Sequence, residues 1–163
     1  MARYWAFSLF RLLPEFRRLE AEHQEHLKEE FAALLGRWQA REGFLAVYSL
    51  VGFSAEADLL LWQGAPDPRA FQALRREMHR TRLLGYLEPV GLHLDRGEGE
   101  PGGHFLALFP FGLEGSLPEG LKAFRGEILQ ALEGSVEALL PLALREGGLL
   151  GTRRTPREAL DEL

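Results

Sequence analysis

The sequence predicts an α+β fold in which a four-stranded antiparallel sheet carries two helices on one face. Three observations support this prediction. Short segments rich in aromatic and aliphatic residues alternate with longer segments whose apolar residues recur every three or four positions. Two of the strand segments lie close enough along the chain to form a hairpin. The resulting order, strand-helix-strand-strand-helix-strand, is that of the ferredoxin-like unit.

The first strand and the first helix follow from the N-terminal sequence. Residues 3–10, RYWAFSLF, are rich in aromatic residues and predict a strand. Pro14 suits the first turn of a helix. From residue 15 to residue 41 the apolar positions recur at three and four, which predicts a long amphipathic helix. Gly43 is expected to end it.

The next segments complete the unit. Residues 44–51 predict a second strand and residues 58–63 a third, joined by a short turn. Residues 69–84 predict the second helix, and residues 86–94 predict the fourth strand. Because Pro89 cannot donate a hydrogen bond within a sheet, this strand is expected at an edge or with a bulge.

The sequence predicts a shorter second half beyond a polar, Gly-rich linker. Residues 104–111 predict a fifth strand. A helix is expected from about residue 119 to residue 144, with helix-start signals at Ser116 and Pro118. The expected division of the chain is a ferredoxin-like domain at 1–94, the linker at 95–103 and a truncated β-α half at 104–163.

Three segments of the first half resemble the chlorite dismutase-like proteins, a family that includes the coproheme decarboxylases. They are the helix text EFAALLGRWQAREG at 30–43, the hairpin text AVYSLVGFSAEADLLLW at 46–62 and RTRLLGYLEP at 80–89. The resemblance covers about residues 3–94, and HFLALFPF is similar to the strand that opens the family's second domain. It implies two ferredoxin-like domains whose sheets pack together, in subunits that assemble into rings, often pentamers.

The resemblance also implies haem or coproheme chemistry, but two positions depart from the family's pattern. The family's axial His lies in a segment reading roughly R-S-H-G-x-I-G-R. The nearest text here is REGGLLGTR at 145–153, where Gly147 stands in place of the His and has no side chain to ligate iron. In the decarboxylases' Tyr-bearing strand, Gly91 and His93 occupy the corresponding places. We therefore expect no cofactor, and a non-catalytic relative that binds a ligand or a partner.

Two alternatives stay open, and both would make the protein an enzyme. One is a haem- or coproheme-dependent peroxidase or decarboxylase that uses His93 or His104 as a substitute axial ligand. The other is a small-molecule enzyme that uses the barrel cavity without a metal. No separate metal site is expected, because the helical pair His23 and His26 has no obvious third ligand.

Basic residues at the end of the second helix form a candidate anion site, made of Arg75, Arg76, Arg80 and Arg82. Guanidinium groups bind a propionate or a phosphate well. Cations late in a helix also oppose its macrodipole without any ligand, so the pattern allows both readings. Nucleic acid is not expected as a partner, because the formal net charge is -5.

Composition excludes several further classes of protein. The chain has no Cys, which rules out disulfides and thiolate metal sites. No apolar run is long enough to span a bilayer, and without a signal-peptide pattern a cytoplasmic location is expected. Many Arg and Glu residues and no Asn are typical of a heat-adapted protein. The open sheet face is expected to be covered by self-association, giving a homo-oligomer, or by the C-terminal helix.

Overall fold

The computed structural model describes residues 4–113 and 119–163. In these residues the chain forms four α-helices and one eight-stranded antiparallel sheet of order β4-β1-β3-β2-β8-β5-β7-β6. The strands are β1 (Tyr4–Leu12), β2 (Phe44–Ser49), β3 (Leu59–Ala65), β4 (Leu87–Arg96), β5 (Phe105–Phe109), β6 (Lys122–Arg125), β7 (Gln130–Gly134) and β8 (Leu149–Arg154). The helices are α1 (Ala21–Glu42), α2 (Arg69–Met78), α3 (Val136–Glu146) and α4 (Pro156–Asp161), with 3-10 turns at Pro14–Arg18 and Leu83–Tyr86.

The predicted ferredoxin-like first half is confirmed. β1, α1, β2, β3, α2 and β4 follow in the predicted order, and β4 lies at the sheet edge with a register shift beside Pro89. Helix α2 is shorter than predicted and ends at Met78. The hydroxyl of Thr81 donates to the Met78 carbonyl at 2.7 Å, and this local bond competes with helix continuation. Arg80 and Arg82 therefore lie beyond the helix.

The single helix predicted from residue 119 to residue 144 is wrong. This segment forms the hairpin β6–β7 and then α3, while Ser116 and Pro118 lie outside the described residues. Strand β7 is buried on both faces, so its sequence QALEG lacks the alternation that marks a half-exposed strand. The second half has the sheet order β8-β5-β7-β6, which repeats the order of the first half.

The two halves of the sheet pack face to face inside one chain. Trp62 of β3 is the centre of this contact, with ring centroids 5.4 Å from Trp5 and 5.1 Å from Phe124 of β6. Leu106 and Leu108 of β5 join the same buried cluster. The expectation that self-association or the C-terminal helix covers the open face is therefore wrong, because strands of the second half already bury it. Helix α4 packs instead on α1, on the opposite side of the sheet.

One buried carboxylate joins the two edges of the sheet. Asp95, near the end of β4, accepts backbone N–H bonds from Glu127 at 2.9 Å, Ile128 at 3.0 Å and Leu129 at 2.8 Å in the β6–β7 turn. A fourth bond comes from the N–H of Arg96 at 2.7 Å. Burial by itself raises the pKa of Asp95, but the four donors together outweigh it and hold the pKa below its ordinary value.

Replacing Asp95 by Asn tests this contact. One oxygen becomes a donor that faces backbone N–H groups, so we expect a loss of about 2–4 kcal/mol in unfolding free energy. Because the folded pKa lies below the unfolded value, the Asp95 contribution is complete above about pH 4 and is lost as the pH falls through the folded pKa. Urea unfolding measured from pH 7 to pH 2 should show that the unfolding free energy falls less steeply with acid in the variant than in the wild type. Parallel pH dependences of the two proteins would contradict the assignment.

Gly126 provides a second test of the same contact. A Cβ at this position would lie 2.2 Å from Oδ2 of Asp95, so Gly126→Ala should cost about 1–3 kcal/mol. Gly36→Ala is the matched control, because a Cβ there meets nothing within 4 Å. Because Gly36 lies on the exposed face of α1, this control should raise the unfolding free energy by about 0.5–1 kcal/mol. Equal effects at the two glycines in thermal unfolding would show that the turn is not tightly held.

Candidate functional site

A groove opens on the outer side of the first half, between α2 and the edge strand β4. It encloses about 260 Å³. Ala6 and Ser8 of β1 form its floor, and their small side chains leave space where α2 crosses the sheet. Leu92 and Leu94 of β4 form its outer wall and remain 53% and 59% exposed. Small residues under a short helix thus leave an apolar surface open to solvent.

The floor of the groove carries a buried polar pair. The hydroxyl of Ser8 donates to Oε1 of Gln63 on β3 at 3.3 Å, and the two residues are 5% and 3% exposed. The amide N–H groups of Gln63 donate to no residue in the described ranges. Buried polar groups are normally satisfied, so this pair offers hydrogen bonds to a molecule in the groove.

Arg75 is the one predicted anion-site residue that the structure places in the groove. Its guanidinium carbon lies 5.3 Å from the centroid of the Phe10 ring, and it forms no ion pair within residues 4–113 and 119–163. Arg76 and Arg80 are exposed. Arg82 donates its backbone N–H to the carboxylate of Glu30 at 3.0 Å. The four arginines therefore do not form one cluster.

The predicted histidines are also dispersed. His93 is half-buried on the inner face of β4, opposite Phe7, and His104 is exposed just before β5. His23 is half-buried and His26 exposed on α1. No group of three or more His, Asp and Glu residues with the geometry of a metal site occurs in the part of the chain that the structure describes.

The second half does not fit a haem held as the family resemblance implies. Gly147 ends α3 with a φ of 74°, the left-handed conformation typical of a C-terminal glycine. Gly148 lies so close to Phe109 that a Cβ there would come within 2.4 Å of its ring. Leu139 and Leu142 of α3 pack on the sheet in an apolar cluster. Residues 105–163 contain no His, Cys, Met or Tyr to ligate iron.

The buried contact between the sheet halves contains three polar groups without partners. These are Nε1 of Trp5, Nε1 of Trp62 and the hydroxyl of Tyr48, none of which meets an acceptor in the described residues. Burial raises the pKa of the Tyr48 phenol, and Glu133 raises it further while Arg153 opposes both. The phenol therefore stays protonated at neutral pH. The neighbouring side chains are mainly apolar and fully buried.

The architecture defines a class of protein, one with two ferredoxin-like sheets packed against each other within a chain. Residues 24–94 match the family model of chlorite dismutase. This segment, in the first half of the chain, is similar to the chlorite dismutase family. No curated protein matches the sequence. None of the helices that the structure describes has the length and apolar character needed to cross a bilayer.

Solved structures of chlorite dismutases share the fold of the whole chain. An arginine-substituted variant of the enzyme from Candidatus Nitrospira defluvii is 18% identical, with a TM-score of 0.80 and coverage of 98% of this chain and 94% of that chain. The same enzyme in complex with imidazole is 17% identical over 98% and 94%, with a TM-score of 0.78. TA0507, assigned as a chlorite dismutase, is 10% identical over 100% of both chains, with a TM-score of 0.79.

Of these groove residues, the sequence pattern pointed to Arg75 as a candidate but not to Ser8 or Gln63. A signal for both was present, because each is a polar residue within an otherwise apolar strand segment. Alternation also places Ala6 and Ser8 on one face of β1. That these residues line a groove depends on how α2 packs across the sheet, which the helical periodicity did not show.

The unpartnered hydroxyl of Tyr48 predicts an unusual mutational result. Tyr48→Phe removes a buried group that has no acceptor in the described ranges, so stability should be unchanged or should rise by up to about 1 kcal/mol. Tyr86→Phe, at a half-buried position, serves as the control and should change little. Chemical unfolding measures both. A loss above about 1 kcal/mol at Tyr48 would show that its hydroxyl has a partner.

Proposed function

We propose that the protein is a haem-independent, ligand-binding relative of the chlorite dismutases. The observation that carries the proposal is the composition of the second half beyond His104, the exposed residue that precedes β5. Residues 105–163 contain none of the side chains that usually ligate haem iron, and Gly147 stands where the resemblance places the axial His. A shared fold does not by itself transfer an activity, because function depends on the site.

The groove between α2 and β4 supports a binding role without catalysis. It combines apolar walls with a few polar groups, the Ser8–Gln63 pair and Arg75, as small-molecule sites commonly do. It lacks a nucleophile paired with a base, since Ser8 contacts only an amide in the described residues. Binding of a small organic molecule is therefore the role that this geometry supports best.

Assembly and location stay predictions. The inner sheet face is buried within the chain, so a homo-oligomer would use another surface. The exposed apolar side chains Leu140 and Leu144 of α3 and Ile128 in the β6–β7 turn, which lie outside the groove, are candidates for such a contact. A cytoplasmic location and heat adaptation rest on composition and sequence pattern alone, and equilibrium sedimentation tests the oligomer.

Titration with haem tests the proposal. When purified protein is titrated with haem, and separately with coproheme, the Soret band should keep the position of the free porphyrin and show no saturable shift. The physical reason is that an open coordination site on iron needs a positioned nitrogen, sulfur or phenolate donor. Absorbance spectra measure the result directly, and retention of the fold is checked by circular dichroism.

The His93→Ala and His104→Ala variants distinguish the enzyme alternative. A saturable one-to-one Soret shift in the wild type that disappears in either variant would identify a substitute axial ligand and overturn the proposal. His26→Ala is the matched control, because His26 is exposed on α1 and belongs to neither candidate site. A shift that survives all three substitutions would show that another donor binds the iron, which also contradicts a haem-independent protein.

A further inference from the structure

We propose that the groove between α2 and β4 binds a medium-chain monocarboxylic acid, with its chain along the apolar walls and its carboxylate on Arg75. This inference rests on the proposed ligand-binding role and specifies the class of ligand. It follows from three features of the groove, which are its size, its apolar walls and the unpaired cation at its rim.

The size of the groove is compatible with a medium-chain ligand. A volume of about 260 Å³ holds roughly nine water-sized groups, and methylene groups are of similar size. An acid with about eight carbons fills this space. A second cavity of about 270 Å³ adjoins the first and shares Pro68, Phe71 and Leu94 with it, so a longer chain can extend along β4.

The walls are suited to an aliphatic chain. Leu74 and Met78 of α2 face Leu92 and Leu94 of β4 across the groove, and Phe71 closes one end. The exposed apolar fraction of Leu92 and Leu94 is unfavourable in water. A chain lying between the helix and the strand would remove this surface from solvent. Burial of a flexible methylene chain needs no further directional contact.

Arg75 provides the charge that selects an acid over a neutral chain. It is half-buried, lies over the Phe10 ring and has no acidic partner in residues 4–113 and 119–163. By contrast, Arg69, Arg41 and Arg82 elsewhere in the first half pair with carboxylates. A partly buried guanidinium without a counter-ion binds a carboxylate with two parallel hydrogen bonds. The Ser8–Gln63 pair offers further hydrogen bonds from the floor.

Three ligands test the inference in isothermal titration calorimetry with the full chain. Octanoate should bind with a saturable heat, octanol should bind at least about tenfold more weakly, and sulfate should not bind measurably. Equal affinities for octanoate and octanol would show an apolar groove without an anion site. Binding of sulfate with the affinity of octanoate would show an anion site without a chain site. Either result overturns the proposal.

Two neighbouring arginines on α2 form a matched pair for mutation. Arg75→Gln should weaken octanoate binding at least about tenfold and leave octanol binding unchanged, while Arg76→Gln should change neither, because Arg76 is exposed outside the groove. Arg75→Lys keeps the charge and should retain part of the affinity. Equal loss in the two Gln variants would show a diffuse charge effect, and unchanged binding in Arg75→Gln would place the carboxylate elsewhere.

Sedimentation with and without octanoate separates the ligand from a second copy of the chain. The proposal expects the same assembly state in both conditions and saturable binding of octanoate. A dimer that excludes octanoate, and that dissociates in a Leu92→Arg variant, would show that a second copy covers the groove. In that case the carboxylic acid proposal fails, while the haem titration still decides separately whether the protein is haem-independent.

Discussion

The structure depends on the packing of one sheet half against the other, closed at its edges by Asp95. The rings of Trp5, Trp62 and Phe124 form the centre of this packing. Four backbone N–H groups hold the Asp95 carboxylate between β4 and the β6–β7 turn, so the strands furthest apart in the sheet order come together. Each half buries an apolar face that neither could leave in water. The two halves are therefore parts of one core.

This closure decides which surfaces remain for function. The inner face of the sheet is filled, and the outer face of the second half is covered by α3. On the outer face of the first half, α2 and β4 do not meet fully, and the groove between them has the small residues Ala6 and Ser8 at its floor. The groove runs beside α2, where small side chains of β1 leave space between the helix and the edge strand. Of the four arginines predicted as an anion site, Arg75 is the one that lines this groove.

The similarity to the chlorite dismutases shows that a backbone fold can be retained at low sequence identity. It does not determine the chemistry of this chain. At 10–18% identity, the backbone arrangement follows that of the solved relatives over nearly the whole chain. Burial and sheet pairing preserve such an arrangement, because many apolar residues satisfy the same packing. An iron ligand requires one particular side chain at one position, so a shared backbone does not by itself provide it. Function therefore has to be argued from the side chains of this chain and not from its fold.

The amino-acid sequence by itself determined the ferredoxin-like first half and the edge position of β4. In that half, helix periodicity and strand segments are long enough to distinguish the elements, and Pro89 marks the edge. Tertiary structure alone decided the hairpin at β6 and β7, because a strand buried on both faces has no alternating pattern to separate it from a helix. It also decided that Ser8 and Gln63 meet beneath α2, since residues 55 positions apart come together only when β1 pairs with β3.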